Sequence, residues 1–314
     1  MNIAYASDDN FVDVMLVSIM SFNDHNSNAT IYILDCGIEE HDKQKILELC
    51  SDKNTVLFVD AKEMLKLLPY DLNLDRGSVA AYARLFIGSM LPDTVSKVLY
   101  LDCDTLVLGA LDELFNTEMD QYVIGGVRDA FSVLNKKVFG IQRGKLLINS
   151  GVLLIDLQKW RLEKKEELIN QLICSNKKIY QGDQGVINMV FHGNVYELPL
   201  KYDVMTYLFD FSYEEMMLYR KPDNYFTKKE VRQAVDSPVI VHFSSSFCSY
   251  RPWEKVGNLD HPYYFKWNAY FQQIGTVKKE SVCQKVKIRG TVLLVVRLLH
   301  AYIRPLFAIC RIKV

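Results

Sequence analysis

The sequence lacks the paired cysteines and the signal peptide that are typical of secreted proteins and of proteins with a structural zinc site. Its seven cysteines are an odd number, are widely scattered and form no Cys-x-x-Cys pair. This usage is typical of a reducing compartment and argues against a disulfide framework or a structural zinc site. The first residues carry no basic stretch and turn acidic at Asp8, so no signal peptide is predicted. We therefore expect a cytoplasmic protein.

The chain also lacks an excess of charge, because 37 Lys and Arg face 38 Asp and Glu. Proteins that coat nucleic acid are usually strongly basic, so no nucleic-acid partner is expected. Three enzyme signatures are absent: the Gly-x-Gly-x-x-Gly of dinucleotide-binding proteins, the His-Glu-x-x-His of zinc proteases and the Gly-x-Ser-x-Gly of hydrolases. Residues 140–145 resemble a phosphate loop only superficially, since Leu146 stands where Ser or Thr would hold magnesium.

What the sequence does contain is an alternation of short apolar runs and helical patterns. Strands are predicted at residues 3–6, 30–34, 55–59 and 97–101, and helices at residues 11–22, 39–50 and 78–90. This rhythm indicates an α/β fold with a mostly parallel sheet flanked by helices. Ligands of such sheets bind at the carboxyl ends of strands, so chemistry is expected just after Ala6 and Leu101.

Further along, two or three more strands are predicted within residues 122–155, around a loop at residues 128–145. Helices are predicted at residues 164–174 and 183–191. Residues 202–226 are rich in aromatic side chains. Such rings also line sugar-binding surfaces, but we assign them to the core.

The last forty residues change character. From Lys278 onward there are nine Lys or Arg and one acid, Glu280, between apolar runs. Arg297 and Arg304 interrupt any span long enough to cross a membrane. The pattern is typical of a basic amphipathic helix lying on an anionic membrane, and a final helix docked on the domain is the alternative. We interpret residues 276–314 as a membrane-associating tail, because nine cations exceed what docking requires.

Asp102 and Asp104 form a pair of carboxylates at the end of the strand at residues 97–101. Residues two apart at a strand end point the same way, so both can reach one divalent ion. An Asp-x-Asp pattern is weak alone, but a solvated pair of turn aspartates would rarely lie between two apolar strands. The pair predicts a metal site.

Five motifs follow one another along the chain: Ala6-Ser-Asp8-Asp9-Asn10, Tyr82-Ala-Arg84-Leu, Val98-Leu-Tyr-Leu-Asp102-Cys-Asp104, Asn149-Ser-Gly151 with Trp160-Arg behind it, and Gln181-Gly-Asp183-Gln184. Their order and spacing resemble family 8 of the retaining glycosyltransferases, which includes bacterial lipopolysaccharide galactosyl- and glucosyltransferases and, more distantly, glycogenin. The resemblance implies a GT-A fold over residues 1–275, a UDP-sugar donor and a divalent metal, usually Mn²⁺ or else Mg²⁺. It implies α-linked transfer of a hexose, galactose or glucose, to a glycan or glycolipid acceptor of lipopolysaccharide, capsule or another surface glycan.

The resemblance also implies roles for individual residues. Ala6, Asp8 and Asn10 would hold the uridine, Arg84 would contact the donor sugar, and Cys103 lies inside the donor-binding motif. The metal, held by Asp102, Asp104 and His242, would bridge the donor diphosphate. Relatives carry a glycine and then Lys-Pro-Trp after the histidine, whereas this chain has a longer loop and Arg251-Pro-Trp253. Arg251 is therefore expected on phosphate.

By the same resemblance Asn149, Asp183 and Gln184 would line the donor sugar, with Gln184 near the anomeric carbon. An amide is a poor nucleophile, so a double displacement lacks its obvious carboxylate. Front-face attack by the acceptor is predicted instead, with Asp129 facing the acceptor. Structural roles stay open for Arg84 as a surface ion pair, for His242 as a packed histidine and for Asp183 as a helix cap.

Two other functions remain alternatives. A sugar-1-phosphate nucleotidyltransferase would also use paired carboxylates, but it normally carries a glycine-rich basic N-terminal loop, which this chain lacks. A non-catalytic module that binds nucleotide sugar, glycan or lipid would have no need of Asp102, Asp104 and Asp183. The transferase is favoured, acting from the cytoplasm as a peripheral protein on the inner face of the plasma membrane.

Overall fold

The computed structural model describes residues 1–50, 52–66, 68, 78–175, 179–244, 251–254, 260–275 and 290–312. Its first half alternates strands and helices: β1 (Asn2–Ser7), α1 (Val12–Asn23), β2 (Thr30–Asp35), α2 (Glu40–Cys50), β3 (Thr55–Asp60), α3 (Lys62–Lys66), α4 (Ile87–Met90), β4 (Lys97–Leu101), β5 (Thr105–Val107) and α5 (Asp112–Phe115). The four predicted strands are confirmed to within one residue at each end.

One predicted helix in this half differs from expectation. Residues 78–90 contain a 3₁₀ helix, Ala80–Phe86, followed by the single α-helical turn α4. Six of the seven residues of the 3₁₀ helix are buried. Because nearly every side chain packs against protein, tertiary contacts rather than an amphipathic period set the winding here.

The second half carries the remaining elements. They are β6 (Ile124–Arg128), α6 (Val133–Val138), β7 (Ile148–Asp156), α7 (Leu157–Leu162), α8 (Lys165–Ser175), α9 (Gly182–Phe191), β8 (Tyr196–Leu198), β9 (Val204–Met205), α10 (Tyr207–Asp210), α11 (Tyr213–Arg220), α12 (Lys228–Asp236), β10 (Ile240–His242), α13 (Tyr264–Gln273), α14 (Gly290–Arg297) and α15 (Arg304–Ile312). The predicted loop at residues 128–145 contains α6. The aromatic stretch packs against the core, as expected, with Tyr202, Tyr207 and Tyr219 buried.

A seven-stranded mixed sheet forms the centre of the described structure, in the order β3-β2-β1-β4-β7-β6-β8. Its pairs are parallel except where β7 runs antiparallel to β4 and β6. Alternate residues of β1 face opposite sides: Ile3 and Tyr5 pack with α1, and Ala4 and Ala6 pack with the 3₁₀ helix. Helices thus cover both faces, which is the predicted architecture.

A smaller sheet in the order β5-β10-β9 brings distant segments to the end of β4. In the pairing of β5 with β10, His242 lies opposite Thr105, the residue after Asp104. The amide of Phe243 donates to the Asp104 carbonyl at 2.9 Å. This register places the histidine beside the paired aspartates.

The C-terminal helix joins α14 to α15 through a π-helical turn, Leu298–Ile303. The turn ends shortly before Pro305. Proline has no backbone N–H, so it cannot donate the hydrogen bond that an uninterrupted α-helix would require there. Ser132 Oγ donates to the Ala301 carbonyl at 3.0 Å, and Asn135 Nδ2 donates to the His300 carbonyl at 3.3 Å. The described part of the tail is therefore docked on α6, while residues 276–289 and 313–314, with six of the nine cations, lie outside the described residues. Nowhere in the described ranges does a helix have the length and apolar character needed to cross a membrane.

Candidate active site

A cavity of about 760 Å³ opens at the carboxyl ends of β1 and β4, where the strand order predicted chemistry. Most of the predicted site residues line it: Ala6, Asp8, Arg84, Asp102, Cys103, Asp104, Asp129, Asn149, Asp183, Gln184 and His242. Two do not. Asn10 is exposed on a short 3₁₀ turn, Asp9–Phe11, that follows β1, and Arg251 is buried behind Asp104.

Asp102, Asp104 and His242 can direct one ligand atom each into a volume in which these atoms lie within 4.8 Å of one another. The His242 Nε2 atom is 3.2 Å from Asp104 Oδ1 and 3.9 Å from Asp102 Oδ2. Its Nδ1 atom contacts Asp203 Oδ1 at 2.8 Å, which fixes the ring and turns Nε2 toward the carboxylates. Two carboxylates and one imidazole are ligands that Mn²⁺ accepts.

The pKa of His242 reflects the concentration of negative charge around its ring. Burial lowers the pKa of His242, but Asp104 and Asp203 together outweigh that effect and raise the pKa well above its usual value. The same carboxylate charge is what a divalent cation would neutralise. The arrangement therefore fits a metal site.

Gly151 supplies the space for the His242 ring. A Cβ atom built on Gly151 would overlap the imidazole and would lie 3.0 Å from Asn149 Oδ1. The Gly151 carbonyl also accepts the Asp102 amide at 2.8 Å. The glycine of the Asn149-Ser-Gly151 motif thus leaves room, from a neighbouring strand, for the cluster of Asp102, Asp104 and His242 (the metal corner).

Arg84 is not a surface ion pair, so that alternative is wrong. Its side chain is 4% exposed, with Nη2 at 2.6 Å from Asp102 Oδ1 and Nε at 3.2 Å from Asp183 Oδ2. Nη1 donates to the Ser150 carbonyl at 2.5 Å, and the guanidinium lies over the Tyr100 ring. Arg84 therefore holds two carboxylates in position, one from each side of the site.

Asp183 is held by side chains rather than acting as the cap of α9. Gln181, in the left-handed region with φ of 65°, is the N-cap residue, and Asp183 Oδ2 accepts from Ser150 Oγ at 3.1 Å. Burial raises the pKa of Asp183, Arg84 lowers it, and the nearby Asp102 raises it, leaving the pKa above its usual value. Asp183 is therefore not the N-cap residue of α9, because that position belongs to Gln181.

Beyond Asp183 a network of amides surrounds Asp129. Gln184 Nε2 donates to Asp129 Oδ2 at 3.2 Å, and Asn149 Nδ2 donates to Gln184 Oε1 at 3.2 Å. The Tyr207 hydroxyl donates to Asp129 Oδ1 at 3.2 Å. This network fixes the orientation of the Gln184 amide next to the metal corner.

Sequence reasoning missed several residues that line this cavity or support its side chains. Asp203, which contacts the His242 ring, lies in a stretch too short to show the hydrophobic periodicity of a strand or a helix. Tyr207 and Arg220 belong to the aromatic stretch, which we assigned to the core. His300 and Arg304 belong to the tail, yet both line the cavity. The available signal was the placement of one charged residue, Arg304, between apolar runs of the tail; Arg220 lies in a polar stretch and gave no such signal.

Comparisons with known proteins agree with this geometry. The family model "Glycosyl transferase family 8" matches residues 2–257. General stress protein A of Bacillus subtilis is 26% identical over 292 residues, covering 86% of this chain and 95% of its own. Lipopolysaccharide 1,2-glucosyltransferase of Escherichia coli is 27% identical over 281 residues, covering 85% of this chain and 76% of its own.

Among solved structures, the galactosyltransferase LgtC in complex with donor and acceptor sugar analogues matches with a TM-score of 0.68. The sequence identity is 24%, and the match covers 89% of this chain and 98% of that one. It supports the GT-A fold. Because the family model spans most of the chain, including both aspartates of the Asp-x-Asp motif, the protein belongs to glycosyl transferase family 8.

Proposed function

We propose that this glycosyltransferase is a metal-dependent retaining enzyme that moves galactose or glucose from a UDP-sugar to a surface glycan, with an α linkage. The observation that carries the proposal is the meeting of Asp102, Asp104 and His242 in one cavity with the Asp129–Gln184–Asn149 network. The printed names of the relatives, a lipopolysaccharide glucosyltransferase and a galactosyltransferase, support the choice of hexose and acceptor.

Arg251 supports a diphosphate beside the metal corner. Its guanidinium is buried, Nη2 lies 3.9 Å from Asp104 Oδ2, and neither Nε nor Nη2 has a hydrogen-bond partner among the described residues. Buried unpaired donors of this kind are costly, and a phosphate oxygen would satisfy them. A divalent ion, Mn²⁺ or Mg²⁺, when bound by Asp102, Asp104 and His242, would neutralise charge on the departing diphosphate.

The nucleotide end is assigned to residues that follow β1. Asp8 Oδ2 accepts from Ser78 Oγ at 2.7 Å, and Asp8 Oδ1 accepts from the Asn10 amide at 3.1 Å, so the carboxylate is held at the cavity wall. Ala6 and Cys103 lie next to it, with Cys103 Sγ donating to the Ala6 carbonyl at 3.2 Å. We assign uridine to this end, as the resemblance implies.

The residues around the proposed sugar position support a reaction without a covalent intermediate on the protein. Asp183 is engaged by Arg84 and Ser150, and Asp129 by Gln184 and Tyr207, so neither carboxylate is poised as a free nucleophile. In the proposed step the acceptor oxygen bonds to the anomeric carbon on the face from which UDP departs. The bond from that carbon to the β-phosphate oxygen breaks, and the acceptor proton passes to the phosphate. Gln184 and Asn149 orient the sugar, and Asp129 faces the acceptor.

Release of UDP from a panel of UDP-sugars, with Mn²⁺, with Mg²⁺ and with excess chelator, tests this proposal. We expect slow metal-dependent hydrolysis of UDP-galactose or UDP-glucose, and an α-anomeric product when an acceptor is supplied. Full activity in chelator would contradict the metal role, and an NMR spectrum of a β-linked product would contradict retention. The absence of UDP release with every donor would favour the non-catalytic binding module.

We assign the catalytic domain to residues 1–275 and a membrane-associating tail to residues 276–314. Support comes from an exposed apolar strip on the C-terminal helix, formed by Leu294, Val295, Leu298, Leu299, Ile303, Leu306 and Phe307. Together with the cations upstream of Gly290, such a strip suits the interface of an anionic membrane. The proposed location is the cytoplasmic face of the plasma membrane, where a glycolipid acceptor would be reached.

A further inference from the structure

Two arginines lie at the end of the cavity that is remote from the nucleotide. Arg220 ends α11, and its guanidinium is 4.6 Å from the centroid of the Tyr207 ring and 5.4 Å from that of Phe131. Arg304 begins α15 on the C-terminal helix and lines the same cavity. The Tyr207 hydroxyl bonds Asp129, which bonds Gln184, so Arg220 lies on the far side of Asp129 from the donor sugar.

Neither of these two cations forms an ion pair with a carboxylate of the described residues, although Asp129 is close enough to act on Arg220 through its charge. Within the described part of the chain, neither Arg220 nor Arg304 has a carboxylate within salt-bridge distance, and Arg220 Nε is buried without a hydrogen-bond partner. Burial, Arg304 and Arg220 lower the pKa of His300 between them to about 4. The imidazole is therefore neutral at pH 7, and the charge of this wall comes from the two guanidinium groups, with Asp129 the carboxylate that acts on Arg220.

We propose that Arg220 and Arg304 form an acceptor subsite for a phosphate group, so that the acceptor is a phosphorylated glycan or a phosphate-linked glycolipid. A phosphate monoester on a glycan carries about −1.5 to −2 charge at pH 7 and three acceptor oxygens, and a phosphodiester that links a glycan to a lipid carries a single negative charge and two free oxygens; two guanidinium groups can bind either. The aromatic rings around Arg220 leave its polar edge as the part that can bind a ligand. This inference rests on the proposed function, because the subsite lies where the acceptor must approach the donor sugar.

The test is a binding measurement on the full chain saturated with UDP and Mn²⁺, so that the nucleotide phosphate site is filled. Calorimetric titrations compare glucose 6-phosphate, butyl phosphate and glucose. We expect both phosphates to bind more tightly than glucose. Stronger binding of glucose 6-phosphate assigns the phosphate to the sugar of the acceptor, and stronger binding of butyl phosphate assigns it to the lipid linkage.

Substitutions locate the site. Arg304→Gln and Arg220→Gln are each expected to weaken phosphate binding about tenfold, which corresponds to about 1.4 kcal/mol, and Arg304→Lys should restore part of the loss. Arg297→Gln is the matched control, because Arg297 lies on the same helix but does not line the cavity. Thermal unfolding of each variant checks that it is folded.

The outcomes separate the subsite from the enzyme. Equal binding of glucose and both phosphates, or equal weakening by Arg297→Gln and Arg304→Gln, would overturn the subsite. If wild-type protein binds UDP with Mn²⁺ and hydrolyses the donor but ignores phosphate, the proposed function stands and the subsite alone fails. If UDP does not bind at all, the proposed function fails first.

Discussion

Individual side chains in this site are positioned by partners on other segments. His242 is oriented by Asp203, Asp102 by Arg84, and Gln184 by Asp129. In the proposed metal site, a carboxylate behind the histidine and a cation behind the aspartate would fix the geometry of the ligands without contacting the metal. Substitutions at the ligands and at their supports should therefore differ in effect.

Asp104→Asn removes one charged ligand from the proposed metal site. An interaction strongest in the transition state affects kcat more than KM, so we expect kcat to fall on the order of a thousandfold, about 4 kcal/mol. His242→Ala should cost less, because water can take its coordination position. Steady-state kinetics with varied Mn²⁺ measures both, and an unchanged kcat in Asp104→Asn would contradict the assignment.

Gly151→Ala tests the support of the histidine rather than a ligand. The added methyl group would overlap the His242 ring, which must then turn away from Asp104. We expect Mn²⁺ affinity to fall about 10- to 100-fold, the usual effect of disturbing residues behind metal ligands. Gly109→Ala is the control, since a Cβ there meets nothing closer than Val239 at 3.5 Å. Equal Mn²⁺ titrations of the two variants would show that the glycine is not needed for space.

At the scale of secondary-structure elements, Asp35 ties the end of β2 to α2. Its Oδ1 atom accepts the amides of Gly37 and Ile38 at 2.8 and 2.7 Å, and Oδ2 is 2.8 Å from Lys43 Nζ. Burial raises the pKa of Asp35, but the Lys43 contact and the two amides outweigh it and leave the pKa below its usual value. The carboxylate is therefore stabilising while it is ionised.

Asp35→Asn should lower the free energy of unfolding by about 2–3 kcal/mol at pH 7, because the two amides and the Lys43 ammonium lose the buried charged group that accepts from them. A folded-state pKa below the unfolded value means that this stabilisation is present above about pH 4 and is lost as the pH falls further. Urea titrations at pH 7 and pH 3 measure the difference. The control is Glu40→Gln, whose carboxylate is exposed and 3.8 Å from the same lysine; a loss equal to that of Asp35→Asn would refute the account.

At the scale of the whole molecule, the C-terminal helix has two faces with different contacts. One face is docked on α6 and places His300 and Arg304 at the cavity, while the other exposes the apolar strip. A membrane under the strip, as proposed, would lie next to the proposed acceptor end of the cavity. Docking of the helix on α6 leaves the apolar strip exposed and is therefore compatible with the proposed membrane contact.

Phe307→Asp tests membrane binding without removing a helix that packs on the domain. Phe307 is 64% exposed, and burying such a ring in the interface contributes about 1.5–3 kcal/mol. We expect the variant to bind phosphatidylglycerol vesicles at least about tenfold more weakly than wild type in co-sedimentation. Leu162→Asp is the control, because Leu162 is 83% exposed on α7. Binding should also weaken with salt, and equal sedimentation of wild type and Phe307→Asp would contradict the tail's role.

Much of this protein follows from local sequence. Strand and helix positions around β1 to β4 depend on short apolar runs and helical periods, which the chain displays clearly. Asp102 and Asp104 are the part of the proposed metal site that local sequence indicates, because their spacing and their place after a strand are local properties. The predictions for His242, Gln184 and Asp129 depended on family resemblance, since nothing around them in the sequence indicates a ligand or a sugar contact.

The remaining features depend on which segments the fold brings together. Arg84, Asp102 and Asp183 meet because β4, the 3₁₀ helix and α9 converge at one edge of the sheet, and no spacing in the chain encodes that meeting. Asp203 reaches His242 through the pairing of β9 with β10. Arg304 reaches the cavity because the C-terminal helix docks on α6. Periodicity reports which face of an element is buried, but the partner of a buried charge is set by three-dimensional packing between segments far apart in the chain.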